Sequence, residues 1–335
     1  MKALRLHKTG DLRLHDEPVP ASNPGEVLLR ITAVGICGSD IHWYAHGTTG
    51  GNAITAPFVL GHEFAGIVHE GDMKGQRVAI DPAVPCHVCE FCMEGKPNLC
   101  PDHYFAGQAP QDGAFREFIN WPVENLFPLP DALSDEEGAM LEPLGVAIHT
   151  VDLGQVKPGM TVGVYGCGTI GLLTIQVARA AGASRIIATD KLPHRLEAAQ
   201  ALGATDIFQA DGHSENEIVW DATKGRGVDV AFEAAGENDA VETAVETTKP
   251  GGMVVLCGIP ATNRTAFLSS TARLKELTFK MVRRMKNTYP RAITLVETGQ
   301  VDVGSIITHR FSLEQFAEAF PVANRQEGVK VVVTP

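Results

Sequence analysis

The sequence lacks a secretion signal, a long apolar run and any excess of positive charge. Its first residues, MKALRLHKTGDLRLHDE, contain no apolar core of about 7–15 residues, so we expect no signal peptide. The net charge of −12 argues against nucleic acid or an anionic membrane as a partner. The uncharged stretch 158–178 holds five glycines, which is typical of strand, turn and helix start rather than of a membrane span. These absences predict a cytoplasmic protein that has neither nucleic acid nor a membrane as a partner.

Cysteine is scarce, and its seven copies are unevenly distributed. Four of them lie within residues 86–100, and a chain without a secretion signal is expected to meet a reducing compartment. Reduced thiols at this density favour metal binding over disulfides. The chain of 335 residues is long enough for two domains of about 100–200 residues each.

Two patterns divide the chain at about residue 150. Residues 1–140 alternate short β-rich runs with Gly, Pro and Asp turns, which is typical of a β-rich domain. The next segment alternates strands with helices of about 10–15 residues, which predicts βαβ units and a doubly wound parallel sheet, an α/β fold. The predicted strands are 161–166, 185–190, 228–236 and 251–258, and the predicted helices are 171–182 and 195–204.

A complete G-x-G-x-x-G motif occupies residues 166–171. It follows a predicted strand and opens a predicted helix, which is the setting of a dinucleotide-binding loop. Gly166 permits the tight turn, Gly168 lets the backbone approach a pyrophosphate, and Gly171 allows close helix–strand packing. The helix N-terminus offers free N–H groups and the positive end of a dipole. The alternative is a glycine-rich turn without a ligand.

An acid at the end of the next strand indicates which cofactor to expect. Asp190 lies 19 residues after Gly171, where it would accept hydrogen bonds from ribose hydroxyls and repel a 2′-phosphate. NAD is therefore favoured over NADP, although Lys191 and Arg195 are able to attract a phosphate. A simple strand-end acid is the alternative for Asp190. The residues predicted to contact the cofactor are Gly166, Gly168, Thr169, Ile170, Gly171, Asp190, Arg195, Cys257, Gly258 and Val282.

The cysteine cluster reads CHVCEFCMEGKPNLC, a C-x2-C-x2-C-x7-C spacing over residues 86–100. Four thiolates on one short segment can close a tetrahedral Zn²⁺ shell and leave no open position, as structural zinc sites do. An iron–sulfur cluster is the alternative, but the spacing fits neither common ferredoxin pattern. We therefore predict a structural zinc site at Cys86, Cys89, Cys92 and Cys100.

Four segments in order carry a likeness to a known family: ICGSDIH (36–42), GHEFAG (61–66), the cysteine cluster and EPLGVAIH (142–149). Together with the glycine motif, they resemble the zinc-containing medium-chain alcohol dehydrogenases, and the sorbitol/xylitol (polyol) dehydrogenase branch in particular. The resemblance covers essentially the whole chain. It implies a GroES-like β-rich catalytic domain at residues 1–145 and 284–335, and a Rossmann nucleotide domain at residues 146–283.

The same resemblance implies a catalytic zinc site with Cys37 and His62 as ligands. One branch of the family adds a further cysteine, and Glu142 stands in its place here. No other cysteine is available, because Cys167 lies inside the glycine motif and Cys257 ends a predicted strand. Taken singly, such a cysteine or histidine is more often a buried or structural residue.

Two carboxylates are therefore the candidates for the remaining zinc ligand. In polyol dehydrogenases the glutamate after the histidine is usually the inner ligand, and the resemblance transfers this role to Glu63. The glutamate of EPL holds water at the metal ion, and the resemblance transfers this role to Glu142. The two roles are exchangeable during turnover, so both residues stay candidate ligands.

The resemblance also implies the reaction, which is oxidation of a secondary hydroxyl of a polyol to a ketose with transfer of hydride to NAD. Ser39 and His42 would pass the hydroxyl proton to solvent, Glu142 would take or orient a proton, and Arg284 would bind further substrate hydroxyls. The alternatives are a structural loop residue for His42 and a surface residue for Arg284. Arg284-Met285 replaces the Arg-Tyr pair that polyol dehydrogenases commonly have, which leaves the identity of the polyol open.

Two other functions are the alternatives. Within the family, the chain would be a butanediol or threonine dehydrogenase. A catalytically silent binding or structural relative is less favoured, because it predicts loss of Cys37, His62 or the glutamates, and all are present. Relatives form dimers or tetramers, so we expect a homo-oligomer.

Overall fold

The computed structural model describes residues 1–49, 52–212 and 214–335, which form two compact units. The first unit comprises Met1–Pro143, Tyr289–Thr298 and Val303–Pro335, and the second comprises Leu144–Thr288 and Gly299–Asp302. The expected domain boundaries differ from these bounds by a few residues, and the role expected for each domain stays a prediction. Among the described residues, every helix is too short or too polar to cross a membrane.

The regular secondary structure of the first 143 residues consists mainly of strands. These strands are β1 (Lys2–Lys8), β2 (Asp11–Asp16), β3 (Glu26–Gly35), β4 (Thr48–Thr49), β5 (Asn52–Ala53), β6 (Phe58–Val59), β7 (Glu63–Val68), β8 (Arg77–Ile80), β9 (Ala83–Val84), β10 (Tyr104–Phe105), β11 (Phe118–Pro122) and β12 (Leu126–Pro128). The first helices are α1 (Gly38–His46), α2 (Glu90–Met93), α3 (Asp135–Ala139) and α4 (Leu141–Gly154).

Strands and helices alternate through the rest of the chain. The strands are β13 (Thr161–Tyr165), β14 (Arg185–Asp190), β15 (Asp206–Gln209), β16 (Val228–Glu233), β17 (Thr248–Leu256), β18 (Thr278–Met281), β19 (Ile307–Ser312) and β20 (Lys330–Thr334). The helices are α5 (Thr169–Ala180), α6 (Pro193–Ala201), α7 (Glu215–Ala222), α8 (Asn238–Thr247), α9 (Ser269–Leu274), α10 (Tyr289–Glu297) and α11 (Phe316–Asn324).

The first unit is organised around strand β3. Its main sheet has the order β12-β8-β7-β3-β20-β19, and β11 also pairs with β3. Strand β3 runs antiparallel to both β7 and β20, so that Gly35 is paired with Glu63 on one side and with Val332 on the other. This pairing places the end of β3, the start of β7 and the middle of β20 next to one another.

The second unit contains a parallel sheet of six strands in the order β15-β14-β13-β16-β17-β18. The predicted α/β fold with a doubly wound parallel sheet is confirmed. Strands β13, β14 and β16 were predicted because they are nearly continuous buried runs. Strands β15 and β18 were not predicted, because they lie at the two edges of the sheet and consist mainly of partly or fully exposed residues.

The two predicted helices of this unit were wrong at their ends. Helix α5 begins at Thr169, before the predicted residue 171, because Gly168 in the glycine motif already serves as its N-cap. Helix α6 begins at Pro193 and ends at Ala201 rather than spanning 195–204. Proline fits the first turn of a helix because the backbone N–H that it lacks would have no partner there.

Candidate metal centre and nucleotide-binding loop

Cys37 lies at the junction between strand β3 and helix α1. It is the N-cap residue of α1, and its backbone N–H donates a 2.9 Å hydrogen bond to Oδ2 of Asp40. Oδ1 of Asp40 accepts a 3.2 Å hydrogen bond from the backbone N–H of Gly61 and lies 3.7 Å from Nδ1 of His62. One fully buried carboxylate therefore joins the loop that carries Cys37 to the loop that carries His62.

His62 and Glu63 lie at the turn into strand β7. Gly61 has a φ of 97°, which glycine adopts without strain, and it turns the chain just before the two residues. Both side chains are buried. One ligand atom each from Cys37, His62 and Glu63 lies within 4.8 Å of the other two. The structure thus brings together three of the four residues predicted for the catalytic zinc ion.

This donor set fits a zinc ion. Thiolate, imidazole and carboxylate are the ligand types of catalytic zinc sites, in which three protein ligands leave one position open. Burial, reinforced by the negative charge of Glu63, raises the pKa of the Cys37 thiol to about 12. A divalent cation would offset this penalty and hold the sulfur as the thiolate, because metal binding displaces the proton of a ligating thiol.

Glu142 lies near this cluster but is not one of its members. It occupies the first turn of helix α4 and is buried. Burial raises the pKa of Glu142 to about 8, and the charges of His62, Glu63 and Cys37 also act on it. Among the described residues, however, the metal-binding group at this place consists of Cys37, His62 and Glu63. The two candidate glutamates therefore differ in position.

Lys330 is a charged partner of the cluster that was not predicted from the sequence. Its Nζ donates a 2.6 Å hydrogen bond to Oε2 of Glu63 and a 3.1 Å hydrogen bond to the carbonyl oxygen of Ile36. In the sequence, Lys330 is the one polar residue in VKVVV. A lysine inside an apolar strand is a signal of a buried ion pair, because an unpaired charge is costly to bury.

The four cysteines of residues 86–100 form one group. Their Sγ atoms lie within 4.8 Å of one another, and those of Cys89 and Cys92 are 3.5 Å apart. The backbone N–H groups of Cys86 and Cys89 donate to Sγ of Cys100 and of Cys86, at 3.3 Å and 3.4 Å. Four sulfurs at about 2.3 Å from a zinc ion would be about 3.8 Å apart, so this group fits a closed tetrahedral site.

The glycine motif forms the turn between β13 and α5. Gly166 has a φ of 99°, and a Cβ atom there would lie 2.7 Å from the backbone N of Ala235. A Cβ atom on Gly171 would overlap the carbonyl oxygen of Gly166. Above Gly168, in contrast, the nearest atom to such a Cβ is Nη1 of Arg195 at 3.7 Å. The motif is therefore tightly packed on one side and open at Gly168, where the N-terminus of α5 can receive an anion.

Asp190 has a structural role that the motif did not reveal. It is buried at the end of β14, where Oδ2 accepts a 2.7 Å hydrogen bond from the backbone N–H of Cys167. Its Oδ1 accepts a 2.8 Å hydrogen bond from the backbone N–H of Leu192, and Nη1 of Arg195 lies 4.0 Å from Oδ2. Asp190 therefore fixes the glycine motif to the end of β14. Each carboxylate oxygen keeps a further lone pair that can accept a ribose hydroxyl.

The other predicted cofactor residues lie at the carboxyl ends of the parallel strands, where the glycine motif also lies. Cys257 and Gly258 directly follow β17, and Val282 directly follows β18. Since β13, β17 and β18 belong to one parallel sheet, their carboxyl ends lie on the same side of that sheet. The backbone N–H of Val282 donates a 2.9 Å hydrogen bond to the carbonyl oxygen of Leu256. Thr169 and Ile170 form the first turn of α5.

The predicted proton-transfer and substrate residues lie on separate elements. Ser39 and His42 belong to helix α1, and the ring of His42 lies 5.7 Å from the ring of His46. Burial lowers the pKa of His42. Arg284 follows β18 with a φ of 52°, in the left-handed region that non-glycine residues adopt infrequently. It precedes Met285, which is buried and packs at Gly145.

Comparison with known proteins gives matches along the whole chain. The Alcohol dehydrogenase GroES-like domain matches residues 23–131, and the Zinc-binding dehydrogenase family matches residues 169–298. The sorbitol dehydrogenase of Bacillus subtilis (strain 168) is 40% identical, over 100% of this chain and 97% of that protein.

Solved structures show the same likeness. The 2R,3R-butanediol dehydrogenase of Bacillus subtilis has a TM-score of 0.89 and 32% identity, over 100% of this chain and 99% of that one. A short chain alcohol dehydrogenase of Escherichia coli CFT073, complexed with NADH, has a TM-score of 0.91 and 30% identity over the same shares.

These matches confirm the family that the sequence motifs suggested, and the GroES-like and Rossmann halves that it implied. They agree with a buried thiol–imidazole–carboxylate cluster and with a glycine motif that is open at a helix N-terminus. The chain belongs to the zinc-binding dehydrogenases of the medium-chain alcohol dehydrogenase family, and it is an oxidoreductase that uses zinc and a nicotinamide cofactor.

Proposed function

We propose that this protein is a polyol dehydrogenase that oxidises a secondary hydroxyl to a ketone with NAD as the hydride acceptor. The observation that carries the proposal is the buried Cys37–His62–Glu63 cluster, in which a carboxylate supplies the third ligand atom. The 40% identity to a sorbitol dehydrogenase supports a polyol as the substrate class.

Two zinc sites serve different purposes in this proposal. Cys37, His62 and Glu63 hold the catalytic ion, and the four cysteines of residues 86–100 hold the structural ion. When bound, the catalytic ion supplies a Lewis acid that eases loss of a hydroxyl proton, and the nicotinamide ring supplies the hydride acceptor. Because Glu142 is buried near the ligand cluster without belonging to it, we assign it the task of orienting water or taking the proton.

The protein's own side chains transfer the hydroxyl proton and bind the rest of the substrate. Ser39 and His42, on the helix that Cys37 caps, pass the hydroxyl proton towards solvent. Arg284 binds a further hydroxyl of the substrate, since guanidinium offers several donors in a fixed geometry. The hydroxyl proton thus leaves through oxygen and nitrogen atoms of side chains, and the nicotinamide ring, when bound, would accept the hydride from the carbon that carries this hydroxyl.

The cofactor is bound by the second unit in this proposal. Gly168 and the N-terminus of α5 would hold the pyrophosphate, and Asp190 would hold the adenosine ribose. A buried carboxylate at that position repels a 2′-phosphate, which supports NAD over NADP. Residues 146–283 are accordingly the nucleotide domain, and residues 1–145 and 284–335 are the catalytic domain.

We also propose a homo-oligomer located in the cytoplasm. Strand β18 is an edge strand of the parallel sheet. Met281 on this strand is 67% exposed, and Leu274, which precedes the strand, is 84% exposed. An edge strand beside exposed apolar side chains favours pairing with another copy of the chain. None of the seven cysteines, all of which the structure describes, forms a disulfide bond, which fits a reducing compartment.

A substrate screen tests the proposed function. Protein with a measured zinc content is mixed with NAD or NADP and a series of polyols and diols, and reduction of the cofactor is followed at each substrate. We expect the largest kcat/KM with a polyol and NAD. Absence of turnover on every secondary alcohol, despite a full zinc content, would contradict the proposal.

The same screen decides on a second candidate, oxidation of a 2,3-diol. The likeness to a butanediol dehydrogenase and the presence of Met285 in place of tyrosine favour this candidate. A kcat/KM for butanediol that exceeds those for sorbitol and xylitol would select it.

A further inference from the structure

Glu63 and Lys330 belong to strands on opposite sides of β3, yet their side chains meet. Glu63 begins β7 and Lys330 begins β20, and both strands pair with β3. Between them lies Gly35, which is the pairing partner of Glu63. A Cβ atom on Gly35 would collide with Oε2 of Glu63, the oxygen that Lys330 binds. The missing side chain at Gly35 therefore provides the space in which the ion pair crosses the central strand.

The pair is closed to solvent on both sides. The side chains of Lys330 and Glu63 are 3% and 2% exposed. A second hydrogen bond joins Nζ of Lys330 to the carbonyl oxygen of Ile36, the residue before Cys37. Lys330 thus contacts one residue of the metal cluster directly and holds the backbone next to another. Breaking such a buried pair by removing one partner is strongly destabilising. A test must therefore distinguish loss of folding from loss of metal binding.

We propose that Lys330 is a positioning residue of the catalytic metal centre. By binding Oε2 of Glu63, it engages one carboxylate oxygen and leaves Oε1 for the metal ion, so that the carboxylate would bind the ion through one atom. Its positive charge also draws electron density from the carboxylate, which keeps a bound cation a stronger Lewis acid. This inference rests on the metal centre of the proposed function, but it does not depend on the substrate.

Metal-binding measurements on Lys330 variants test the inference without any substrate. Lys330→Met removes the charge at similar length, and Lys330→Arg keeps the charge and its donors. Lys249→Met is the matched control, because Nζ of Lys249 makes a 2.7 Å ion pair with Asp229 elsewhere in the chain. For each variant, zinc per chain, zinc affinity against a competing chelator and the visible spectrum of the Co²⁺-substituted protein are recorded.

We expect Lys330→Met to bind the ion of the Cys37 cluster about 10–100-fold more weakly, the range typical of outer-shell partners of metal ligands. Its Co²⁺ bands should shift, since Glu63 is then free to bind through both oxygens. The zinc of the four-cysteine group should stay bound and serve as an internal standard. Lys330→Arg should recover most of the affinity, and Lys249→Met should behave as the parent protein does.

Unchanged zinc affinity and an unchanged Co²⁺ spectrum in Lys330→Met would overturn the inference. If that variant does not fold, Lys330→Gln takes its place, because the amide keeps a donor to Glu63 without the charge. A parent-like spectrum and affinity in Lys330→Gln would then overturn it equally. A protein that oxidises no alcohol but shows the expected spectral shift would refute the proposed function and leave this inference standing.

Discussion

The two groups of candidate metal ligands in the first unit are built in opposite ways. The four-cysteine group takes identical donors from the short segment 86–100, whereas the Cys37–His62–Glu63 cluster takes three kinds of donor from two separate loops. Four thiolates would fill a tetrahedral zinc shell, while the mixed set would leave one position open for a substrate. Closeness of donors therefore indicates a metal site, but the kind and number of donors separate a structural site from a catalytic one.

The cysteine thiols of these two groups also differ in pKa. Hydrogen bonds from the backbone N–H groups of Val88 and Cys89 lower the pKa of the Cys86 thiol to about 7. Burial and the charge of Glu63 raise the pKa of the Cys37 thiol to about 12. Within the four-cysteine group, however, burial raises the pKa of the Cys92 thiol to about 12 as well, so this group combines one thiol that the backbone prepares for a cation with one that depends on the cation to become a thiolate.

The largest expected effect is at Cys37. Cys37→Ser should lower kcat/KM by about 10³-fold or more, because the metal ion contributes several kcal/mol to transition-state stabilisation. Zinc analysis should show that the four-cysteine group keeps its ion. Activity within tenfold of the parent protein would remove Cys37 from the catalytic site and abolish the distinction between the two clusters.

Glu142 should produce the next largest effect. Glu142→Gln should lower kcat by about 10²-fold while both zinc ions stay bound, since the residue acts on a proton rather than on the metal. Glu136→Gln is the control, because Glu136 makes a half-exposed ion pair with Arg310. Steady-state kinetics and zinc content measure the difference. Loss of one zinc ion from Glu142→Gln would show that Glu142 is an inner ligand after all.

A substitution in the four-cysteine group should affect stability more than catalysis. Cys92→Ser should remove one zinc ion per chain and lower the Tm, because binding of a structural zinc ion contributes directly to folding. The folded fraction should keep kcat/KM within about tenfold of the parent value, well below the loss expected at Cys37. Calorimetry and active-site titration measure the two effects. A loss as large as that of Cys37→Ser would contradict a purely structural role.

The smallest expected effect is a difference in thiol reactivity after zinc is removed with a chelator. The thiolate is the nucleophile, so at pH 7 iodoacetamide should alkylate Cys86 before Cys37. Above pH 7, the rate at Cys86 should rise only about twofold because half of this thiol is already ionised. The rate at Cys37 should rise about tenfold per pH unit up to its pKa. Peptide mapping by mass spectrometry measures both rates, and the reverse order would contradict the assigned shifts.

The four-cysteine group could be predicted from the sequence more fully than the Cys37–His62–Glu63 cluster. The spacing of Cys86, Cys89, Cys92 and Cys100 was sufficient to predict a group, because a short segment can bring its own residues together. The catalytic cluster required a resemblance to known proteins, since no local pattern connects Cys37 with His62. Lys330 was not predicted, because it reaches Glu63 only through the pairing of β20 and β7 with β3.

The nucleotide unit shows a similar limit. The glycine motif and the strands β13, β14, β16 and β17 were predicted, because burial on both faces gives these strands apolar runs. The edge strands β15 and β18 have no such pattern, and their position depends on hydrogen bonds from the neighbouring strand. The motif also indicated a ribose-binding role for Asp190, but not its hydrogen bonds to the backbone of Cys167 and Leu192.

The position of Lys330 in β20 has a consequence for the stage of synthesis at which the Cys37–His62–Glu63 cluster gains its counter-charge. A ribosome adds Cys86 to Cys100 as one short stretch, so the four-cysteine group can bind zinc while most of the chain is still being made. Cys37, His62 and Glu63 are synthesised even earlier, but the strand that supplies their counter-charge is made more than 200 residues after the four-cysteine group. The catalytic cluster with its counter-charge can therefore be complete only after the last strand has been made, and a fully formed cluster is a sign that β20 has paired with β3.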